Sequence, residues 1–341
     1  MENLFIISNE KISKKKNYFY SANVDFKTIV EGLKSSFNVI LIARKSSIRE
    51  NFIINFKKIF LASNIFSYLL KIILCLKNVK NNKYLIVSIT PYSFLAYLIL
   101  FLFTNKIYVY LRSDGFKEYE NILGKKWVFL YQIMFFVMLW KSKIISCQRK
   151  LSRGRRFYLV RPSELDEIWF KNKKKKINLI ESKIRLLYVG RIRIEKGVFS
   201  LLNIFSKLEN KAELTIVGDK KNKLFNHYNI KFFSFFSKTK YLIKQYDKSH
   251  IFILPSYTEA HPKVIDEALS RSRPVIIFDD IKHIVGNRRG IFICKRNPDD
   301  LKEKILYIYK NYSNIVKNIT NNKLPTKKIF IEDLKKIINS K

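Results

Sequence analysis

Glycine and proline are scarce, 9 and 7 in 341 residues, which excludes a collagen-like or low-complexity chain. The three cysteines, Cys75, Cys147 and Cys294, each stand alone in apolar or mixed surroundings. They offer no paired spacing for zinc or a disulfide framework, so a reducing compartment is the simplest reading. His227, His250 and His283 lack partners at ligand spacing and read as structural. No Asp-x-Asp closes a strand-like run, and Asp279-Asp280 lies past one, where turn carboxylates are usual, so no metal site is expected. Neither of the two most apolar runs makes a convincing membrane-spanning helix of roughly twenty residues. The start, Met1 to Ser8, lacks a basic region, a long apolar stretch and a small-residue cleavage site, and reads as the first buried strand of a cytosolic protein.

Acid is the other shortage: 27 Asp and Glu face 66 Lys and Arg, a formal charge of +39. Such a field favours nucleotide diphosphates, anionic lipid or nucleic acid, and says nothing about fold. No nucleic-acid module is present. Composition bias weighs as much as partner selection, because the chain is crowded with Lys, Asn, Ile, Phe and Tyr.

What is present is an alternation. Leu4–Ile7, Asn38–Ala43, Tyr84–Ile89, Ile107–Leu111 and Lys143–Ser146 are short, β-branched or aromatic runs separated by amphipathic segments, among them Val24–Ser36 and Asn51–Leu76. This predicts βαβ units and parallel sheets covered on both faces. The second half repeats it, with strands at Arg185–Val189, Glu213–Val217, Ile230–Phe233, Ile251–Leu254, Val275–Phe278 and Ile291–Ile293. The length suits two domains, 1–170 and 171–325, with Lys173–Lys176 as a solvated linker and an amphipathic helix within 326–341. Tyr84 to Phe103 is broken by Pro91 into strand and helix, and Trp127 to Trp140 reads as a buried helix. The alternative for both is contact with a lipid surface beside Lys125, Lys126, Lys141 and Lys143.

Two stretches carry chemistry. After the strand ending at Val189 comes Gly190-Arg191-Ile192-Arg193-Ile194-Glu195-Lys196-Gly197. Gly190 leaves room at the strand end and Gly197 opens a helix, while Arg191 offers a planar fork and Lys196 a point charge, both suited to phosphate. After the strand ending at Leu254 comes Pro-Ser-Tyr-Thr-Glu-Ala-His-Pro-Lys-Val-Ile-Asp-Glu-Ala, residues 255–268. Pro262 suits the first turn of a short helix and Pro274 stops it. Glu259 and Glu267 then frame a helix N-terminus, a place that attracts phosphate. The bland alternative is an ordinary strand-loop-helix unit with two solvated glutamates.

The spacing Glu259, seven residues, Glu267, preceded by Gly-Arg-x-x-x-x-Lys-Gly, resembles the retaining glycosyltransferases of family 4. That resemblance implies a GT-B fold: α/β, two Rossmann-like parallel-sheet domains facing each other across a cleft, with the last helix packing back onto the first. It implies transfer of a sugar from a UDP- or GDP-sugar with no cofactor or metal. Arg191 and Lys196 would hold the donor diphosphate, Glu259 would lie by the sugar, Glu267 would bind the ribose, and Gly190 and Gly218 would line the donor. His261 can donate to a sugar hydroxyl or phosphate, and the N–H groups of Lys263 and Val264 would take the phosphate that Pro262 cannot. Glu259, Arg191, Lys196 and Asp114 are the implied catalytic residues. Arg112 and Asp114 are the acceptor-side candidates, although Asp114 is equally a turn residue before Gly115.

The chain departs from the family in several places. No His stands near Asp114, and Ser8-Asn9-Glu10-Lys11 replaces the Gly-rich loop after strand one. Ser234 stands for a Gly beside phenylalanines that read mostly as core, with one facing the base. The implied acceptor is a surface glycan or lipid-linked saccharide, and the implied location is the cytoplasm, peripheral at the inner face of the plasma membrane. The alternatives are an epimerase or phosphorylase of the same fold, and a non-catalytic binder of polyanions or membrane surfaces.

Overall fold

The computed structural model describes residues 1–48, 52–77, 79–172, 183–208, 212–218, 228–236 and 238–340. The chain forms two compact units: Met1–Glu164 with Lys327–Lys341, and Leu165–Thr326.

The first unit contains β1 (Asn3–Lys15), β2 (Tyr18–Ser21), α1 (Val24–Leu33), β3 (Asn38–Lys45), β4 (Phe52–Ile53), β5 (Lys58–Ala62) and α2 (Ile65–Leu74). These are followed by β6 (Lys83–Val87), α3 (Pro91–Leu100), β7 (Ile107–Leu111), α4 (Gly115–Leu123), α5 (Val128–Met138), β8 (Lys143–Ser146) and β9 (Tyr158–Leu159). Parallel pairing gives the order β5-β3-β1-β6-β7-β8-β9. Every residue of β6 and β7 is buried, as strands covered on both faces must be.

Two local readings of the sequence change here. Where a loop is expected at Ser8-Asn9-Glu10-Lys11, β1 runs on through a bulge between Ile7 and Lys11 and turns back to pair antiparallel with β2. Where one helix is expected over Asn51–Leu76, of which Asn51 lies outside the described residues, Lys58–Ala62 pairs with β3 instead. The helix begins only at Ile65, because Asn64 accepts from the Ser67 N–H at 2.8 Å while Ser67 Oγ accepts from the Asn64 N–H at 3.2 Å. This is a capping box.

The chain steps in one direction across the sheet from β5 to β6, β6 to β7 and β7 to β8. Right-handed crossovers therefore lay α2, α3 and α5 on one face, and the reverse step from β1 to β3 puts α1 on the other. In α5, Tyr131, Met134, Phe135 and Met138 are buried, while Phe129, Ile133 and Phe136 on the opposite side are exposed. The run expected to be a buried helix is thus covered on one side only.

The second unit contains α6 (Glu167–Phe170), β10 (Ile184–Val189), α7 (Val198–Phe205), β11 (Ala212–Gly218), β12 (Ile230–Ser234) and α8 (Thr239–Lys248). It continues with β13 (Ile251–Leu254), α9 (Lys263–Ser270), β14 (Val275–Phe278), β15 (Ile291–Cys294), α10 (Pro298–Lys310) and α11 (Tyr312–Ile319). Among the described residues its six strands are all parallel, in the order β12-β11-β10-β13-β14-β15. From β10 the chain goes to β11 on one side, and from β13 to β14 on the other. The strand order therefore reverses between these two central neighbours, and in open α/β sheets ligands bind at the carboxyl ends of strands beside such a point.

The division falls at Glu164/Leu165, ahead of the expected 170/171, because Leu165 and Trp169 are buried in the second core. Arg271, itself buried, fixes that segment: its guanidinium donates to the carbonyls of Trp169 and Lys171 at 3.0 and 2.8 Å and to both carboxylate oxygens of Asp247 at 2.8 Å. Lys173–Lys176 lie outside the described residues. The last helix, α12 (Lys327–Asn339), packs against α1, burying Phe330, Leu334 and Ile338. A side chain at Gly32 would stand 2.5 Å from Ile331 Cδ1, so glycine there permits the close approach.

Arg271→Ala is expected to destabilise the second unit by about 3–5 kcal/mol, the usual result of breaking a buried ion pair, since Asp247 then keeps only Arg273 Nη2 at 3.9 Å and the carbonyls of Trp169 and Lys171 lose their donor. Urea unfolding measures this, and native-state emission from Trp169 should shift to the red as its segment loosens. A second expectation concerns acid. His250 is buried, and its Nδ1 accepts from the Arg185 N–H at 3.0 Å, which requires an unprotonated Nδ1. Burial, with the cations of Arg185 and Arg273 nearby, pushes its pKa down to about 4. An unfolded histidine titrates near about 6.5, so between those values the unfolded chain binds the extra proton and stability is lost as pH falls. His250→Asn should lower Tm at alkaline pH but flatten its decline through that window.

Candidate active site

Two loops meet where the second sheet's strand order reverses: Gly190 to Gly197 after β10, and Pro255 to Pro262 after β13. Gly197 has φ 65°, in the left-handed region, and a Cβ there would collide with the carbonyl oxygen of Pro255. Only glycine meets both demands. The Tyr257 N–H donates to the Glu195 carbonyl at 3.1 Å, joining the loops backbone to backbone. This seam places Lys196 Nζ 2.6 Å from Glu259 Oε1, with side chains only 20% and 12% exposed. Ser256 Oγ donates to the same carboxylate oxygen at 2.8 Å, and the His283 ring lies 3.1 Å from the Glu259 carbonyl. Gly190 and Gly218 stand at neighbouring strand ends, where a Cβ on Gly218 would come within 2.5 Å of the Gly190 carbonyl oxygen.

Helix α9 begins beside this pair, and no side chain caps it. Glu267 is buried within it, and Tyr246 Oη donates to Glu267 Oε2 at 2.9 Å. Burial pushes the Glu267 carboxyl above the usual range, against the pull of the Tyr246 hydroxyl and the Lys263 cation. Its neighbour Asp266 is tuned the other way. Burial raises that carboxyl too, but the His261 ring at 3.4 Å and Arg288 Nη1 at 2.8 Å more than offset it and hold it below the usual range. Two adjacent carboxyls on one helix thus differ in ease of protonation, because burial prevails at Glu267 while the direct contacts of Asp266 with Arg288 and His261 outweigh it there.

The other residues singled out in the sequence are less gathered. Arg191 is exposed, and its carbonyl accepts from Tyr188 Oη at 2.9 Å. His261 turns onto Asp266, while Lys263 and Val264 form the half-buried first turn of α9. The phenylalanines expected to be mostly core are not. Phe233 and Phe235 are exposed, and Phe232 and Phe236 only partly covered, because β12 is the edge strand. Asp219 lies outside the described residues.

Arg112 and Asp114 belong to the first unit. Arg112 sits 3.6 Å from Glu10 and 3.9 Å from Asp25. Asp114 caps α4 by accepting from the Lys117 N–H at 3.4 Å, and it edges a hollow of about 410 Å³ lined also by Phe116, Gln132, Phe136, Lys150 and Arg153. Sequence reasoning missed Tyr246, Asp266 and Arg288 as partners in the second unit's site. Asp266 stood inside the motif, but Tyr246 and Arg288 lie about twenty residues to either side, and nothing local announces them. Among the described residues no three His, Cys, Asp or Glu side chains cluster as metal ligands.

Residues 170–324 match the family model of glycosyl transferases group 1. A putative teichuronic acid biosynthesis glycosyltransferase, TuaC of Bacillus subtilis, is 28% identical over 131 residues, covering 35% of this chain and 31% of that protein. The match thus spans about a third of the relative's length. In overall structure the chain is similar to HepE of Anabaena, solved in complex with UDP, at 11% identity, TM-score 0.69 and coverage of 99% and 100%. It is also similar to sucrose-phosphate synthase of Thermosynechococcus elongatus, at 14% identity, TM-score 0.68 and coverage of 99% and 95%. Residues 170–324 are therefore similar to the glycosyl transferases group 1 family, and the chain that carries them has the GT-B fold.

Proposed function

We propose that the chain is a retaining glycosyltransferase of family 4 type that moves a sugar from a nucleotide-diphosphate donor to a surface-glycan or lipid-linked acceptor in the cytoplasm. The observation that carries this reading is the Lys196–Glu259 contact of 2.6 Å at the reversal of strand order. A lysine held against a carboxylate beside an uncapped helix start is ready to exchange that partner for a diphosphate, whose charge the helix N-terminus also favours. Arg191, exposed on the same loop, would take the outer phosphate oxygens as a fork. Lys196 and Arg191 would then stabilise the departing diphosphate electrostatically.

Once released from Lys196, Glu259 would orient the sugar and steady the positive character at its anomeric carbon, with Ser256 holding the carboxylate in place. Glu267 would accept a ribose hydroxyl, with Tyr246 occupying one of its oxygens. Gly190 and Gly218 would leave space for the donor, His261 would donate to a sugar hydroxyl or phosphate, and the first turn at Lys263 and Val264 would meet the phosphate. Asp114 and Arg112 are proposed for the acceptor side. Of the two donor bases considered, UDP is favoured by the solved HepE complexes, which hold UDP, UDP with glucose, or UDP-glucose.

Lys196→Ala is expected to slow glycosyl transfer at least tenfold, about 1.4 kcal/mol in barrier, and wild-type turnover by that variant would remove the diphosphate assignment. Glu267→Ala should weaken donor binding with smaller effect on the fold. A thermal-shift panel of UDP, GDP, ADP and CMP should single out one base, because a ligand bound only by the folded state raises Tm. Product analysis showing epimerised sugar or sugar phosphate, with no transfer to an alcohol acceptor, would favour an epimerase or phosphorylase.

A further inference from the structure

A surface helix normally turns its polar side outward, but α2 and α5 turn apolar side chains outward as well as inward. In α2, Phe66, Leu70, Ile73 and Leu74 are 75%, 62%, 51% and 66% exposed. From α5 to the residues just beyond it, Phe129, Ile133, Phe136 and Trp140 are 68%, 42%, 42% and 71% exposed. Steps of three and four residues put each set on a single stripe. The helices lie on one face of the first sheet with α3 packed between them, and Leu102, two residues past the end of α3, is 72% exposed.

The charge around this face is mostly positive, although the acids Asp114 and Glu120 line the hollow beside Phe136. The sequence holds no Asp or Glu from 51 to 113 or from 121 to 163. Lys141 lies 4.5 Å over the Phe101 ring and Arg155 5.5 Å over that of Phe136, so cations sit against the aromatic face itself. Lys125 and Lys126 are exposed at the start of α5, next to the half-exposed Trp127. A second copy of the chain docking through the same patch by a two-fold axis would set these cations against themselves. An anionic bilayer meets both demands, offering an apolar layer to the stripes and negative headgroups to the lysines and arginines. No described helix is long and apolar enough to cross a membrane, so the contact is with one leaflet.

We propose that the α2-α3-α5 face rests on an anionic lipid surface. Phe66, Phe129 and Trp140 enter the boundary between headgroups and acyl chains, and Lys125, Lys126, Lys141 and Arg155 meet lipid phosphates. This is independent of the donor site in the second unit.

The test uses the full chain with phosphatidylcholine vesicles, alone or with one third phosphatidylglycerol, at physiological ionic strength. Of the three tryptophans, Trp127 and Trp140 are 51% and 71% exposed on this face, whereas Trp169 is 2% exposed in the other unit. Co-sedimentation with the mixed vesicles should therefore be accompanied by a blue shift in emission and by quenching from brominated acyl chains. The double variant Phe129→Gln/Ile133→Gln, altered only at exposed positions, should keep its Tm and any nucleotide-induced thermal shift while losing at least about tenfold in vesicle affinity. Binding without a blue shift, or binding unchanged by the double variant, would mean that a chain of charge +39 merely adsorbs by Coulomb attraction, and would overturn the proposal. So would failure to bind the mixed vesicles, or a lipid-free dimer that the double variant dissociates.

Discussion

The carbonyl oxygen of Pro255 leaves no room for a side chain at Gly197, and the rest of the second unit's site depends on that approach. Because the loops after β10 and β13 touch there, Lys196 reaches a carboxylate sixty-three residues away in the chain. An ion pair so little exposed would be costly if either partner were removed, since the charge left behind would have lost both water and its mate. The pair is therefore stable as found, yet it can accept a substitute of the same charge. In the proposed reading, a diphosphate relieves Lys196 of Glu259 and frees that carboxylate to face the sugar.

The same economy governs α9. Its start has no capping side chain, so the local field favours an incoming anion. Asp266, one residue from Glu267, would oppose that anion were it unpaired. Arg288 and His261 hold its charge locally. Glu267 has a tyrosine hydroxyl as its hydrogen-bond partner, and its burial favours the protonated form. The two carboxyls thus serve different ends: Asp266 ties α9 to the segment carrying Arg288, and Glu267 is the one proposed to meet a ligand.

The first unit is built on another asymmetry. Crossover handedness sends α2, α3 and α5 to one face of its sheet and α1 to the other, where α12 returns to cover it. The covered face buries Phe330, Leu334 and Ile338 from the end of the chain. The opposite layer keeps two apolar stripes and a cationic surround, an arrangement that α12 does not relieve.

Much of this was legible beforehand, for definite reasons. Short continuous apolar runs mark strands buried on both sides, and the two loops announce themselves because glycine, proline and charged residues stand together directly after such strands. The Asn51–Leu76 misreading shows the limit: a capping box at Asn64 and pairing to β3 divide a run whose hydrophobicity alone looks continuous. The phenylalanines near Ser234 show another, since whether an aromatic is core depends on whether its strand lies at the sheet's edge. By itself the sequence determined the α/β class, the parallel sheets and the residue types for phosphate chemistry, because these follow from local periodicity and side-chain chemistry. Only the tertiary structure decided that Lys196 meets Glu259, that Tyr246 and Arg288 tune α9, and which side of α5 faces solvent, because those outcomes depend on strand order and crossover hand, which bring distant residues together.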